Sequence, residues 1–369
     1  MSELTYWVGF NIVRGVGPAR FRLLLDHFGS LQAAWQASEE TLSAAGLDRR
    51  AIANLIETRT KHDLDRTLES IFAAGVQVLT WEDESYPSPL RNIHDAPPVL
   101  YVKGALIEAD SWALAVVGTR KATTYGRHMT EELVGTLARS GLTIVSGLAK
   151  GIDAIAHRAA LEAGGRTLAV FGCGVDVIFP ADHRALAEEI AQAGALISDY
   201  PLSTQPEAGN FPPRNRIISG LSLGVLVTEA GERSGALITA DYANNQGRDV
   251  FAVPGNVTSP SSLGTNRLIQ DGARLVISAD DILTELNLGM AVQQAEVRAA
   301  IPTTDVEARL LAILAAGPIH IDELCRQSSM SIAEISSTLT LMELKGLVCQ
   351  VGAMQYTIPQ ETRARYVVD

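Results

Sequence analysis

Seven short apolar runs alternating with helix-like stretches between Trp112 and about Leu286 predict a doubly wound α/β sheet. Two further observations support this class. Apolar residues recur at three- and four-residue spacing up to about Ile71 and change to strand-type runs after Trp112. Short glycine-rich turns follow several of the runs, as they do where parallel strands feed helices. In a chain of formal charge -12, these turns also collect basic residues: Val117-Gly118-Thr119-Arg120-Lys121, Ser146 to Gly151, and Asn210 to Arg216. An acidic protein with Arg and Lys gathered at one sheet edge is expected to bind an anion there.

The elements follow in order. From Leu4 to about Ile71 the spacing is helical, with breaks at Gly15 to Pro18, Gly29-Ser30 and Gly46 to Asp48, so residues 1–75 read as a small helical domain. The connector, with Tyr86-Pro87-Ser88-Pro89 and Ala96-Pro97-Pro98, is too rich in proline for helix interiors. Strands are expected at 113–117, 142–145, 167–171, 195–198, 224–228, 250–253 and 274–277, within a unit spanning 76–288. Residues 289–302 read as a linker. Residues 303–360 carry helices near 306–315, 321–327 and 331–345 and a hairpin at 348–358, the pattern of a winged helix.

Composition excludes several classes. The 369 residues, 47% of them apolar, suffice for two or three buried cores. The longest strongly apolar stretch, Ile217 to Thr228, is about a dozen residues, short of the roughly 18–20 that span a bilayer. The N-terminus lacks the pattern of a signal peptide. Cys173, Cys325 and Cys349 form neither a disulfide framework nor a metal spacing, so a cytoplasmic protein without metal is expected. The net charge makes any nucleic-acid site local.

Each turn has more than one reading. Gly118-Thr119-Arg120 stands where a dinucleotide fold shows G-x-G-x-x-G, yet Arg120 fills the space a pyrophosphate needs. Gly172-Cys173-Gly174 has Val177 where the third glycine belongs. No dinucleotide cofactor is expected, and Arg120 is either an anion contact or a surface ion pair. In Ser146-Gly147-Leu148-Ala149-Lys150-Gly151, the glycines permit unusual dihedrals, and Ser146 and Lys150 could coordinate a phosphate. Asp153 and His157, four apart, could form an acid/base pair. The preferred reading is that Asp153 favours the helix N-terminus and orients His157, because no nucleophile is evident beside them. Asn210-Phe211-Pro212-Pro213-Arg214-Asn215-Arg216 opens a helix at its prolines. Arg214 and Arg216 lie about 200° apart on a helix, so either an irregular turn lets both reach a ligand or one forms an internal ion pair. Ser234 and Gly235 precede another helix and make a further anion cradle, with Glu229 cast as partner for an arginine or a ligand hydroxyl or amine.

Together these residues resemble the DNA-processing protein A (DprA/Smf) family. The match runs through Tyr86-Pro87, Leu100 to Gly104, Val117 to Arg120, Ser146 to Asp153 with Ala156-His157, Asn210 to Ile218, Glu229-Ala230 with Ser234-Gly235, and Val253-Pro254-Gly255. The resemblance implies an extended Rossmann-like sheet flanked by an N-terminal helical domain (SAM-like, helix-hairpin-helix) and a C-terminal winged helix. It implies a non-enzymatic binder of single-stranded DNA that forms a homodimer and loads the RecA recombinase during natural transformation, with no cofactor. Arg120, Lys150 and the Arg214/Arg216 pair are then the phosphate contacts.

The flanks extend the resemblance. Gly15-Val16-Gly17-Pro18 resembles a helix-hairpin-helix, with Arg14, Arg20 and Arg22 nearby; Asp48 in the second hairpin puts a carboxylate where a phosphate would go, so the tandem either touches DNA or is structural. The winged helix's third helix has Glu334 and Glu343 against a single Lys345 and reads as a protein-interaction module. Tyr125, Phe179, Tyr200 and Phe211 are either base-stacking platforms or core. Two competing functions remain. One is a nucleotide-binding sensor or phosphoribohydrolase-like enzyme on the same sheet, the latter of which would show P-G-G-x-G-T where Ala230 to Gly235 lacks the paired glycine; the other, a sequence-specific regulator, would need a basic third helix.

Overall fold

In the computed structural model, residues 3–286 and 305–357 are described, apart from 315, 316, 329, 345, 346 and 353. The expected linker at 289–302, the end of the predicted hairpin and Lys345 lie outside the described residues. Two compact units result, divided at Leu286.

The first unit opens with α1 (Glu3–Ile12), α2 (Pro18–Phe28), α3 (Leu31–Gln36), α4 (Glu39–Ala44), α5 (Arg49–Lys61) and α6 (Leu64–Ala73). Ser30, Ser38, Asp48 and Asp63 stand at N-caps and accept from backbone amides three residues on, which explains where α3 to α6 begin. Asp48 also pairs with Arg20, whose guanidinium donates to Gly15 O, so the two hairpins are tied to each other. Arg22 donates to His94 O and lies over Trp81. Two of the three arginines expected near the first hairpin are therefore used internally.

The sheet has nine strands: β1 (Gln77–Thr80), β2 (Val99–Gly104), β3 (Ala113–Val117), β4 (Thr143–Ser146), β5 (Thr167–Val170), β6 (Ala195–Ser198), β7 (Gly224–Val227), β8 (Asp249–Ala252) and β9 (Arg274–Leu275). Their order is β1-β2-β6-β5-β4-β3-β7-β8-β9. Pairs from β3 to β9 are parallel, and β2 adds antiparallel to β6 and β1 to β2. All seven strands expected from the sequence are present. The connector contributes the other two, because its prolines fall outside the β1 and β2 ladders.

Between the strands run α7 (Ser88–Arg91), α8 (Thr124–Arg139), α9 (Ile152–Glu162), α10 (Arg184–Ala193), α11 (Phe211–Gly220), α12 (Ala236–Asn245) and α13 (Leu263–Gln270), with α14 (Ala279–Glu285) after β9. Strand residues alternate between two buried clusters, as a two-residue period requires. Val99, Tyr101, Ala169 and Leu196 join α9, α10 and the first helices; Leu100, Val102, Leu168, Val170 and Ile197 join the α11 and α12 side.

The second unit holds α15 (Asp305–Leu314), α16 (Ile321–Ser328) and α17 (Ile332–Leu344), with β10 (Ile319–His320), β11 (Cys349–Gly352) and β12 (Gln355–Thr357) paired in the order β10-β12-β11. Leu310, Leu314, Leu324, Ile335, Leu339 and Met342 form its core. This is the winged helix that the sequence predicts. Glu334 accepts from the Ser331 hydroxyl and amide at the start of α17, and Glu343 accepts from Gln350 N.

Trp7 stacks on Phe21 at 5.6 Å between ring centroids and meets Trp81 edge-on at 5.8 Å, joining α1 and α2 to the segment after β1. Trp7→Ala is expected to cost about 3–5 kcal/mol. Because the first helices and the sheet share this buried cluster, the urea transition of the first unit, followed by circular dichroism, should shift as a whole while that of the second unit stays where it is.

Candidate nucleic-acid interface

Strand order reverses at β3, which has β4 on one side and β7 on the other. Turns leaving neighbouring strands in opposite directions open a crevice there. The crevice is a cavity of about 830 Å³ walled by the turn after β3 (Gly118 to Lys121), the start of α11, and Gly231, Arg233 to Ala236, Ile238 and Thr239. Arg120, Lys121, Arg214 and Arg233 line it, with Asp153 as its carboxylate.

Close approach of the three turns requires glycine at two places. A Cβ on Gly118 would meet Ile152 Cγ1 at 2.5 Å, and one on Gly151 would strike the backbone of Thr119 and Arg120. Gly151 also has φ 81°, open to few L residues. Thr119 N donates to Glu229 O at 2.7 Å and Ile152 N to Thr119 O at 3.1 Å, so the β3 turn is held from both sides. Arg120 and Lys121 project from it exposed, and neither side chain has a hydrogen bond or ion pair among the described residues.

The turn after β4 is built differently from its sequence reading. Ser146 is buried and its hydroxyl donates to Val116 O at 2.6 Å, facing the sheet. Leu148, not Gly147, takes the left-handed conformation, with φ 56°. Gly147 is small for another reason: a Cβ there would meet the Arg214 guanidinium at 2.5 Å. Asp153 Oδ2 accepts from the amides of Gly147 (3.1 Å) and Ala149 (3.4 Å). Lys150 is exposed and pairs with Asp182 at 2.9 Å.

Arg214 is 5% exposed and donates through Nη1 to Gly147 O at 3.0 Å and to Val170 O, and through Nε to Asn215 Oδ1 at 3.3 Å. Burial lowers its pKa, the Asp153 carboxylate works against this, and the nearby Arg120 charge adds to the lowering. Arg216 turns the other way, onto Asp199 at 2.6 Å and Asp95 at 3.6 Å. Of the two readings of this pair, the geometry fits an internal ion pair for Arg216, with Arg214 and Asn215 on the cavity wall. Asn210 lies just before α11, its carbonyl facing the Tyr200 hydroxyl at 3.4 Å, and does not line the cavity.

Ser234 and Gly235 line the cavity at the start of α12, where no side chain caps the helix. Glu229 is not available to a ligand. It is 2% exposed and accepts from Thr123 N (2.9 Å) and Thr123 Oγ1 (2.7 Å), capping α8 over Gly126, whose missing Cβ leaves room for it. Arg233, absent from the contacts expected from the sequence, sits between Glu232 and Ser234 in a turn already singled out. Phe179 and Phe211 line the cavity as a tilted pair 5.6 Å apart, whereas Tyr125 donates to Pro254 O outside it.

Asp153 does not orient His157, because its carboxylate is spent on the turn amides. The Thr167 hydroxyl donates its one proton to Ile144 O at 2.8 Å, so His157 Nδ1, 2.6 Å away, must carry the proton that donates to Thr167 Oγ1. His157 Nε2 is left a buried lone pair without a partner.

A mostly parallel α/β sheet with a cation-lined, aromatic-walled crevice at its switch point has the geometry of the α/β folds whose ligand sites lie at the strand ends. Comparison with known proteins narrows the class. The family described as DNA recombination-mediator protein A matches residues 77–287, and the DprA winged helix domain matches 293–354. Protein Smf of Synechocystis is 38% identical over 96% of this chain and 98% of its own length. The solved DNA processing protein A from Streptococcus pneumoniae is 37% identical with a TM-score of 0.67, over 76% of this chain and 97% of its own. A Helicobacter pylori DprA structure, described by its single-stranded DNA binding mode, is 31% identical with a TM-score of 0.52 over 57% of this chain and 95% of its own. The chain belongs to the DprA/Smf family of DNA recombination mediators.

Burial drives the His157 pKa down from 6.5 to about 3, and the His183 and Arg214 charges add to the shift. Below pH 6.5 the unfolded chain takes up a proton that the folded chain refuses until about pH 3. This contribution to stability is therefore intact above pH 6.5 and is lost as pH falls through that window, by up to about 1.4 kcal/mol per pH unit. The stability difference between wild type and His157→Gln, measured by urea titration from pH 7 to pH 4, should shrink with that slope.

Proposed function

We propose that this protein is a non-enzymatic single-stranded DNA binder that protects incoming DNA and loads RecA during natural transformation. The observation that carries the DNA reading is that Arg120 and Arg214 line one cavity. The Arg120 charge lowers the Arg214 pKa, and an anion bound between the two relieves that repulsion. Lys121 and Arg233 add charge, and the Phe179–Phe211 pair offers a face to a base in a sequence-tolerant way. The contacts we assign are Gly118, Thr119, Arg120, Lys150, Gly151, Arg214, Asn215, Ser234 and Gly235, whereas Ser146 and Gly147 support the turn after β4 and Asn210 and Arg216 lie outside the cavity lining. A non-catalytic role agrees with the uses already found for Asp153, Glu229 and His157, each engaged in holding a turn or a strand. The RecA-loading and homodimer parts of the proposal rest on the resemblance to the family, and the single-strand preference on the subject of the H. pylori structure.

Arg120→Glu or Lys150→Glu should weaken binding of a labelled oligothymidylate at least tenfold while leaving the circular dichroism unchanged, since both side chains are exposed. Undiminished binding by both folded variants would overturn the assignment. A second expectation concerns salt. With three or four cations engaged, the log–log slope of affinity against salt should be about -2 to -3, and each charge removed should make it shallower by about 0.7. Asp182→Asn, which frees Lys150 of its carboxylate, should tighten binding in wild type but not in a Lys150→Gln background. Fluorescence anisotropy across a salt series, with duplex of equal length as competitor, reads all of these.

A further inference from the structure

The cavity is too small for a length of strand. Sites for single strands commonly track several nucleotides along a groove, about 4–16 per binding fold. A volume of about 830 Å³ lies instead in the range of pockets that enclose one small ligand, about 300–1,000 Å³. Its walls supply what a single nucleotide presents. Arg120, Arg214 and Arg233 offer guanidinium groups to a phosphate. Phe179, 47% exposed, presents its ring beside Phe211, over which the Arg214 guanidinium lies 5.8 Å from the ring centroid. Asp153, the carboxylate among the lining residues, is already held by two amides and faces the Arg214 charge, so it does not cancel the remaining cations.

We propose that this cavity is a complete site for a free nucleoside monophosphate, which competes with single-stranded DNA for it. The inference rests on the anion-site reading above and adds a second ligand class to it. A strand would then enter the cavity with one nucleotide, anchored there, and would reach Lys150 and Lys121 with its neighbours. The pool of small nucleotides would set the threshold for loading.

The test is displacement of a labelled oligothymidylate from the full-length protein by 5′-dTMP, with thymidine and inorganic phosphate as controls at matched ionic strength. The expected result is half-displacement by dTMP on the order of 1 mM, with neither control effective at that concentration. Phe179→Ala should raise the dTMP needed at least fivefold, since it removes the ring but no charge. If the oligomer binds and dTMP fails to displace it at tens of millimolar, the inference falls and the DNA reading stands. Equal displacement by phosphate alone would also overturn it, showing an anion site without base recognition. If the oligomer itself fails to bind, equilibrium dialysis of labelled dTMP decides: retention supports the nucleotide site by itself, and no retention ends both readings.

Discussion

The buried guanidinium of Arg214 is the interaction on which the site depends. It reaches from α11 to the carbonyls of Gly147 and Val170, the ends of two neighbouring strands, and so sets the spacing of their turns. A buried charge is tolerated only when it is paired and its donors are satisfied. Asp153 supplies the opposing charge and, through the Gly147 and Ala149 amides, fixes the same turn from the other side. Much of the local sequence follows from this. Gly147 must leave room for the guanidinium, Leu148 absorbs the left-handed bend, and Ser146 secures the strand end to Val116.

Electrostatics in this protein are organised by exclusion. Many of the basic residues that look available along the chain are consumed within it: Arg216 by Asp199 and Asp95, Arg20 by Asp48, and Arg166 by Asp110. Arg120, Lys121 and Arg233 are left facing the crevice without ion pairs among the described residues. A local field of this kind can attract a polyanion even though the whole molecule carries a charge of -12. Lys150 stands between the two groups, exposed yet paired with the equally exposed Asp182, an ion pair of the weak surface kind that a phosphate can exchange with.

The winged-helix unit follows different rules. Glu334 and Glu343 serve its own architecture, one at the start of α17 and one against β11, while Ile332, Leu341, Val351 and Met354 are exposed apolar side chains. Among the described residues α17 offers no cation to a phosphate backbone, which agrees with its reading as a surface for protein.

The sequence by itself determined the class of fold and pointed to a candidate site along one edge of the sheet. Strand periodicity is a local property, so β3 to β9 were legible run by run, and glycine-rich turns after strands mark the binding edge of a parallel sheet wherever they occur. The strands β1 and β2 were hidden because they lie in a proline-rich connector and gain their hydrogen bonds only by pairing with each other and with β6. The direction of each side chain was likewise beyond the sequence. Arg214 and Arg216 look alike two residues apart, and only the packing of α11 against the ends of β4 and β5 on one side and Asp199 on the other sends one to the cavity and the other inward. Glu229 looked available for a ligand until the fold brought Thr123 to it from more than a hundred residues away. Tertiary structure decided these matters because they depend on which distant groups arrive as partners, and the pattern along the chain does not encode that.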